Sequence, residues 1–186
     1  MKIIDRPFPG AALLELEPFG DERGSFARIF DREFFSQFGD DIIVDHTAES
    51  INPHVLTLRG LHFQKPPYGE RKLVRCVRGE IFDVAVDLRN GSPTEGHVYH
   101  INLAENDALA LFLPKGIAHG FLTLTENSIV SYHLFDPYHA PSASGIRYDD
   151  PDLSIAWPGV PRLINERDRN WPFFKDLSSD ERSRFQ

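Results

Sequence analysis

Cysteine is nearly absent from this chain. Cys76 is the only one among 186 residues, so no internal disulfide can form and no thiolate set is available for zinc. A reducing, cytoplasmic setting is the expectation from that usage. Long apolar runs are also missing. No window approaches the roughly 18 uncharged apolar residues of a membrane-spanning helix, and Asp5, Arg6, Pro7 and Pro9 interrupt the stretch where a signal peptide would need its apolar core. No membrane partner is expected. Basic charge is in deficit, with 20 Lys and Arg against 28 Asp and Glu and a net charge of -8. That disfavours nucleic acid as a partner, because phosphate backbones are bound through a basic footprint. A small anionic ligand stays compatible, since a few arginines gathered in one cleft can outweigh the charge of the whole molecule.

What is present is the composition of an ordinary globular domain. Apolar residues make up 41% and charged residues 26%, which fits neither a disordered chain nor a coiled coil. At this length the expectation is one domain over residues 1–186, large enough to bury a core, with 176–186 as a charged tail that frays. Residues 11–17 form a short apolar segment, and Pro18-Phe19-Gly20-Asp21-Glu22-Arg23-Gly24 reads as a turn. Phe30, Phe34 and Phe38 recur at helical spacing and predict a short amphipathic helix over 31–38 that ends at Gly39. From Val55 the apolar period becomes two, predicting strands at 73–77, 81–88, 98–103, 108–113, 120–124 and 129–135. Strands about ten residues apart, separated by Gly, Pro and Asn, indicate an all-β sandwich or closed barrel, and periodicity leaves that choice open. Along 81–88, Asp83 and Asp87 share a strand face with Ile81 and Ala85, which predicts a partly polar interior. After Pro151 the chain is loop-rich.

The densest polar cluster in an apolar context is Arg59-Gly60-Leu61-His62-Phe63-Gln64, followed after Pro66-Pro67 by Arg71-Lys72-Leu73-Val74-Arg75. If both runs line one pocket, an imidazole and an ammonium face the same cavity. Such a pair suits proton abstraction beside a carbonyl, which needs a base at the carbon and a cation where enolate charge develops. A structural histidine and a solvated lysine would use the same residue types, and spacing alone does not choose. Strict alternation would put Arg59 and His62 on opposite strand faces; a bulge at Gly60 would remove that conflict.

Pro114-Lys115-Gly116-Ile117-Ala118-His119 is a tight turn delivering a histidine onto the next strand. It resembles the second motif of the cupins, small jelly-roll barrels in which this histidine often binds a metal. The first cupin motif is matched only by His62, and Lys72 falls in the stretch of its acidic ligand. An ammonium there opposes a divalent ion, so the resemblance implies a cupin barrel with no metal and no cofactor. A metal-dependent cupin using His62, Gln64 and His119 is an alternative.

The block 59–64, the run from Lys72 to Arg89, Ser92-Pro93-Thr94, the block 114–121 and Asp149-Asp150-Pro151-x-Leu153-x-Ile155-x-Trp157-Pro158 follow in order within residues 19–171. Together they resemble the dTDP-4-dehydrorhamnose 3,5-epimerases. That resemblance implies an all-β cupin double-stranded β-helix, or jelly-roll barrel, with a few short helices mainly near the termini. It implies a homodimer that inverts C3 and C5 of a nucleotide-linked 4-keto-6-deoxyhexose, such as dTDP-4-keto-6-deoxyglucose, by enolisation. Carried over residue by residue, it makes His62 the base, Asp168 its paired carboxylate, Lys72 the cation at the enolate oxygen and Tyr132 the acid on the opposite ring face. Arg59 and Arg23 would hold the pyrophosphate, with Arg23 reaching the partner's site. Phe19, Phe26 and Tyr138 would clamp the nucleotide base, and His119 would join the substrate-binding set.

Recognition residues depart from the family's pattern. Ahead of the Arg-Gly-Leu-His block, where Gln-x-Asn-x-Ser is usual, the chain reads His46-Thr47-Ala48-Glu49-Ser50-Ile51-Asn52. Arg28 and His133 replace a usual Glu and Lys, and the Glu expected near Ser144 is absent. Proton-transfer residues persist while the recognition shell changes, which fits an altered sugar, nucleotide or number of inverted centres. A C3-only or C5-only mono-epimerase is the alternative reaction.

Overall fold

The computed structural model describes residues 1–39 and 41–185. In chain order the strands are β1 (Lys2–Asp5), β2 (Ala12–Glu15), β3 (Phe19–Asp21), β4 (Gly24–Phe26), β5 (His46–Asn52), β6 (Leu58–Gln64), β7 (Lys72–Arg78), β8 (Glu80–Asp87), β9 (Val98–Ala104), β10 (Leu109–Leu113), β11 (Ile117–Thr123), β12 (Ser128–Leu134) and β13 (Ala143–Gly145). Two single-turn helices, α1 (Arg32–Phe35) and α2 (Glu166–Arg169), stand in the connections. One sheet runs β1-β2-β10-β7-β12-β5, a second runs β13-β6-β11-β8-β9, and β3 and β4 form a separate hairpin. From β5 to β8 and again from β9 to β12 the chain passes back and forth between the two large sheets, with β8 and β9 paired as neighbours in the second, so both sheets are built at once by a winding pair of strands. This is the all-β jelly-roll barrel. No helix among the described residues is long and apolar enough to cross a membrane.

Apolar side chains fill three layers. Leu13, Val74, Ile81, Ala85, Leu103, Leu111 and Val130 meet between the sheets. Behind the second sheet, Leu58, Leu61, Phe63, Val84 and Leu122 pack against Leu153, Trp157, Phe174 and Leu177 of the C-terminal segment. Behind the first, Ala12, Leu14, Leu73, Ala110 and Phe112 are covered by Phe35, Ile42 and Phe135. Strand β8 is therefore buried on both faces, and its buried carboxylates have specific partners: Asp83 bonds His119 through Oδ2 while its Oδ1 has no partner among the described residues, and Asp87 is held by Arg89, Ser92 and Thr94. The partly polar interior expected from 81–88 is present.

The helix expected over 31–38 divides into α1, capped by Asp31 accepting from the Glu33 and Phe34 amides, and a 3-10 turn at Ser36–Phe38. Its phenylalanines cluster with Phe112 and Phe135, with Phe35 fully buried. Burial of one such side chain contributes roughly 1.5–3 kcal/mol. The tail expected to fray is instead tied down as far as it is described, residue 186 lying outside the described residues. Leu177 is buried, Asn90 donates to the Ser183 carbonyl and accepts from the Phe185 amide, and the Arg89 guanidinium lies 5.1 Å from the Phe185 ring centre. Charge suggested solvation, but aromatic and backbone partners hold the segment.

Candidate active site

A cavity of about 370 Å³ opens between the two sheets. Arg59, His62 and Gln64 of β6 and His119 of β11 line one wall, while His46, Ala48 and Ser50 of β5, Lys72 of β7 and Tyr132 of β12 line the other. The first wall depends on an irregularity. His62 pairs with His119 and Arg59 with Phe121, so Gly60 and Leu61 together face Gly120 alone. One extra residue shifts the side-chain alternation, and Arg59 and His62 come to the same cavity. Gly60 has φ +128°, and a Cβ there would stand 2.6 Å from the Gly120 Cα. Only glycine permits both the conformation and the approach.

Asp168 is 1% exposed and accepts three N–H groups. His62 Nε2 lies 2.7 Å from Oδ1, the Trp171 indole donates to Oδ1 at 3.2 Å, and the Gly60 amide donates to Oδ2 at 3.1 Å. Asn165 caps α2 by accepting the Asp168 amide at 2.6 Å, which sets the carboxylate's position. Gly145 lets the indole approach, since a Cβ at that position would be 2.5 Å from Trp171 Nε1. Burial works to raise the Asp168 carboxyl, but the bond and charge of His62 and the Gly60 and Trp171 bonds outweigh it and hold the group below its ordinary value. An ionised carboxylate only accepts, so His62 carries its hydrogen on Nε2 and keeps the Nδ1 lone pair for a ligand.

On the facing wall, Lys72 is buried with its Nζ 2.8 Å from Glu70 Oε1. Next to it, Arg71 grips Asp136 through Nε at 2.8 Å and Nη2 at 3.0 Å, and Asp41 through Nη1 at 2.7 Å. This clamp fixes the start of β7 to the segment that follows β12. Burial first, then the nearby Asp83 carboxylate, pushes the Tyr132 phenol far above its usual range, so it remains protonated. Its ring stands edge-on to His119 at 6.2 Å, and His119 Nε2 is 2.9 Å from Asp83 Oδ2. Arg59 Nε donates to Asn52 Oδ1 at 2.7 Å, leaving the two terminal nitrogens of its fork for a ligand.

His62, Asp168, Lys72, Tyr132, Arg59, His119 and Tyr138 are thus gathered at one place. Phe19, Phe26 and Arg23 are not. They lie on the β3–β4 hairpin, with Phe19 opposite Phe26 at 83% and 75% exposure and Arg23 paired to Asp21. Sequence reasoning missed Glu70, Asn52, Trp171 and Arg167, which lines the cavity and lies over the Trp171 ring at 4.6 Å. Reading 46–52 as a strand would have found one signal, because residues 46, 48 and 50 then share a face. Chemically, the site offers an oriented base on one wall and, on the other, a cation and a protonated phenol. Among the described residues no three His, Cys, Asp or Glu side chains are grouped as a metal would require.

The family model for dTDP-4-dehydrorhamnose 3,5-epimerase matches residues 5–176. The chain belongs to that family. Among curated members, the dTDP-4-dehydrorhamnose 3,5-epimerase of Methanothermobacter thermautotrophicus is 42% identical over 174 residues, 91% of this chain and 92% of that protein. The Legionella pneumophila dTDP-6-deoxy-D-glucose-3,5-epimerase, solved with dTDP-4-keto-L-rhamnose, superposes with a TM-score of 0.92 at 32% identity, covering 100% of this chain and 98% of that one. A 3'-monoepimerase of Streptomyces bikiniensis, solved with dTDP-quinovose, gives a TM-score of 0.84 at 34% identity, covering 89% and 84%. Membership in this epimerase family makes the chain an isomerase and agrees with its jelly-roll architecture.

Proposed function

We propose that the chain inverts C3 and C5 of dTDP-4-keto-6-deoxyglucose to give dTDP-4-dehydrorhamnose. The observation that carries this reading is the His62–Asp168 pair, 2.7 Å apart on one wall, facing Lys72 and a protonated Tyr132 on the other. His62 Nδ1 removes the proton beside the C4 carbonyl, and the C–H electron pair moves into an enolate whose charge gathers on O4. Lys72 donates a hydrogen bond to that oxygen, and its ammonium is worth more in a site sheltered from water than in bulk. Tyr132 gives its proton to the opposite face of the same carbon, so the electron pair reforms a C–H bond with inverted configuration. Solvent takes the proton held by His62 and restores the one lost by Tyr132. Asp168 fixes the imidazole tautomer throughout.

Arg59 holds the pyrophosphate, its guanidinium matching two phosphate oxygens, and Tyr138 packs on the nucleotide base. The exposed Phe19, Phe26 and Arg23 complete the site of the second subunit in a homodimer, which is why the β3–β4 hairpin stands free of its own chain's cavity. Light scattering giving a monomer contradicts that arrangement. The reaction itself is tested by NMR of dTDP-4-keto-6-deoxyglucose with the protein in D2O. Deuterium entering at both C3 and C5 is the expected result. Entry at C3 alone would make the chain a mono-epimerase, the reading favoured by its likeness to the 3'-monoepimerase. No entry, with folded protein and intact substrate, refutes both.

A further inference from the structure

Three histidines line the reaction cavity; the proposed reaction uses His62, and His119 is engaged through its Nε2 by the buried Asp83. The third, His46, opens β5 on the wall opposite His62. Its Nδ1 lies 2.8 Å from Asp45 Oδ2. A carboxylate accepts and does not donate, so in the neutral ring Nδ1 carries the hydrogen and Nε2 presents a lone pair. Among the described residues Nε2 has no hydrogen-bond partner. Pairing between β5 and β12 sets Leu134 opposite His46 and Tyr132 opposite Ala48. On the far side of Leu134, β7 brings Lys72. His46 therefore stands one step of strand alternation from the residue beside the phenol, roughly 7 Å along the strand.

A bare acceptor on a cavity wall calls for a donor in the ligand. Within the ligand class proposed above, the pyrophosphate presents acceptors only, whereas the hexose carries hydroxyl donors; the nucleoside's own donors, the base N3–H and the 3'-hydroxyl, lie beyond the pyrophosphate from Lys72, which neighbours His46 across Leu134. Ala48 offers no polar side-chain atom, so His46 and Ser50 are the polar side chains that β5 presents to the cavity. We propose that His46, oriented by Asp45, accepts a hydrogen bond from a hydroxyl of the bound sugar and thereby selects which hexoses the cavity holds. This rests on the reading of the cavity as a nucleotide-sugar site. Asp45 acts as a positioning residue, keeping the ring in the tautomer that accepts.

The test is calorimetric binding of two stable probes, dTDP and dTDP-glucose, with turnover measured separately. His46→Ala should weaken dTDP-glucose about five- to tenfold, the range of one neutral hydrogen bond, and leave dTDP unchanged. His46→Gln, whose amide oxygen reaches the place of Nε2, should stay within about twofold of wild type. His46→Asn is too short and should behave like the alanine variant. Unchanged dTDP-glucose affinity in His46→Ala, or equal weakening of both probes, overturns the proposal. The two readings fail separately. A wild type active in D2O with no effect of His46→Ala sinks the histidine's role, while a wild type inactive in D2O that loses its sugar increment in His46→Ala sinks the reaction and keeps the contact.

Discussion

Asp168→Asn is the substitution that separates orientation of the base from its mere presence. The amide has the shape of the carboxylate but loses the charge and turns one acceptor into a donor. Three N–H groups converge on Asp168, from His62, Gly60 and Trp171. A hydrogen bond to a charged group contributes about 1.5–3 kcal/mol and a neutral one about 0.5–1.5 kcal/mol, so the Gly60 and Trp171 bonds each weaken by roughly 1 kcal/mol. The amide NH2 must also face a donor, leaving one buried N–H unsatisfied at a further 1–3 kcal/mol or so. The sum is about 3–5 kcal/mol, or a fall of roughly 6–20 °C in melting temperature for a chain of this size. If the NH2 turns toward His62 it donates to Nε2 and sends the ring hydrogen to Nδ1, where the base should be. Deuterium entry should then slow by about 10²–10⁴-fold, the contribution of a positioned general base. The assay is the NMR experiment in D2O beside a calorimetric melt. Entry within about threefold of wild type, with an unchanged melting temperature, would refute the tautomer argument.

Other perturbations probe the remaining parts. Tyr132→Phe should retain deuterium entry from the His62 face while inversion slows by at least about 100-fold, read from the configuration of recovered sugar; entry and inversion falling together would contradict separate faces. Because the buried phenol is held well above its usual value of about 10, the wild-type rate should show no loss from tyrosine ionisation below pH 10. Lys72→Ala should slow deuterium entry about 10²–10³-fold by removing the enolate donor, and a wild-type rate would exclude that role. Gly60→Ala combines a forbidden φ with a backbone clash and should cost about 2–6 kcal/mol, so an unchanged denaturant midpoint would count against the bulge as drawn. Asp168 and Asp136 are both held below the ordinary carboxyl value, so their stabilisation is full above about pH 4 and is lost as pH falls through their lower native values. Melting temperature should drop most steeply below about pH 4, and a flat profile to pH 3 would oppose this.

Much of the barrel was legible because its central strands obey a simple period. The runs over 73–77, 81–88 and 98–103 follow β7, β8 and β9 closely, since β8 meets apolar layers on both faces, β9 alternates inward Tyr99, Ile101 and Leu103 with exposed His100 and Asn102, and turns bound the strands. β5 was not legible. Thr47, Glu49 and Ile51 face outward on an edge strand and Ala48 and Ser50 face an open cavity, so no apolar alternation marks it. His62 and Lys72 were legible as a candidate base and cation, Asp168 and Tyr132 came from resemblance, and the fold explains why Arg59 and His62 can share a cavity despite their spacing. Glu70, Asn52 and Trp171 belong to no motif of their own; each matters through one contact with a near neighbour in the chain, Glu70 with Lys72, Asn52 with Arg59 and Trp171 with Asp168, and only the folded backbone shows that those side chains turn toward each other. The docked tail was misread because charge was weighed and the aromatic Phe185 was not.

The two walls of the cavity differ in what stands behind them. Strand β6 has Leu58, Leu61 and Phe63 buried against the C-terminal segment, so any change near the base disturbs a packed layer at its back. Strand β5 has exposed Thr47, Glu49 and Ile51 at its back. Substitutions at 46, 48 and 50 therefore disturb little beyond the ligand, whereas substitutions from 58 to 63 disturb the molecule. A catalyst built this way can change its taste in sugars by editing one wall while the chemistry on the other stays under the constraint of folding.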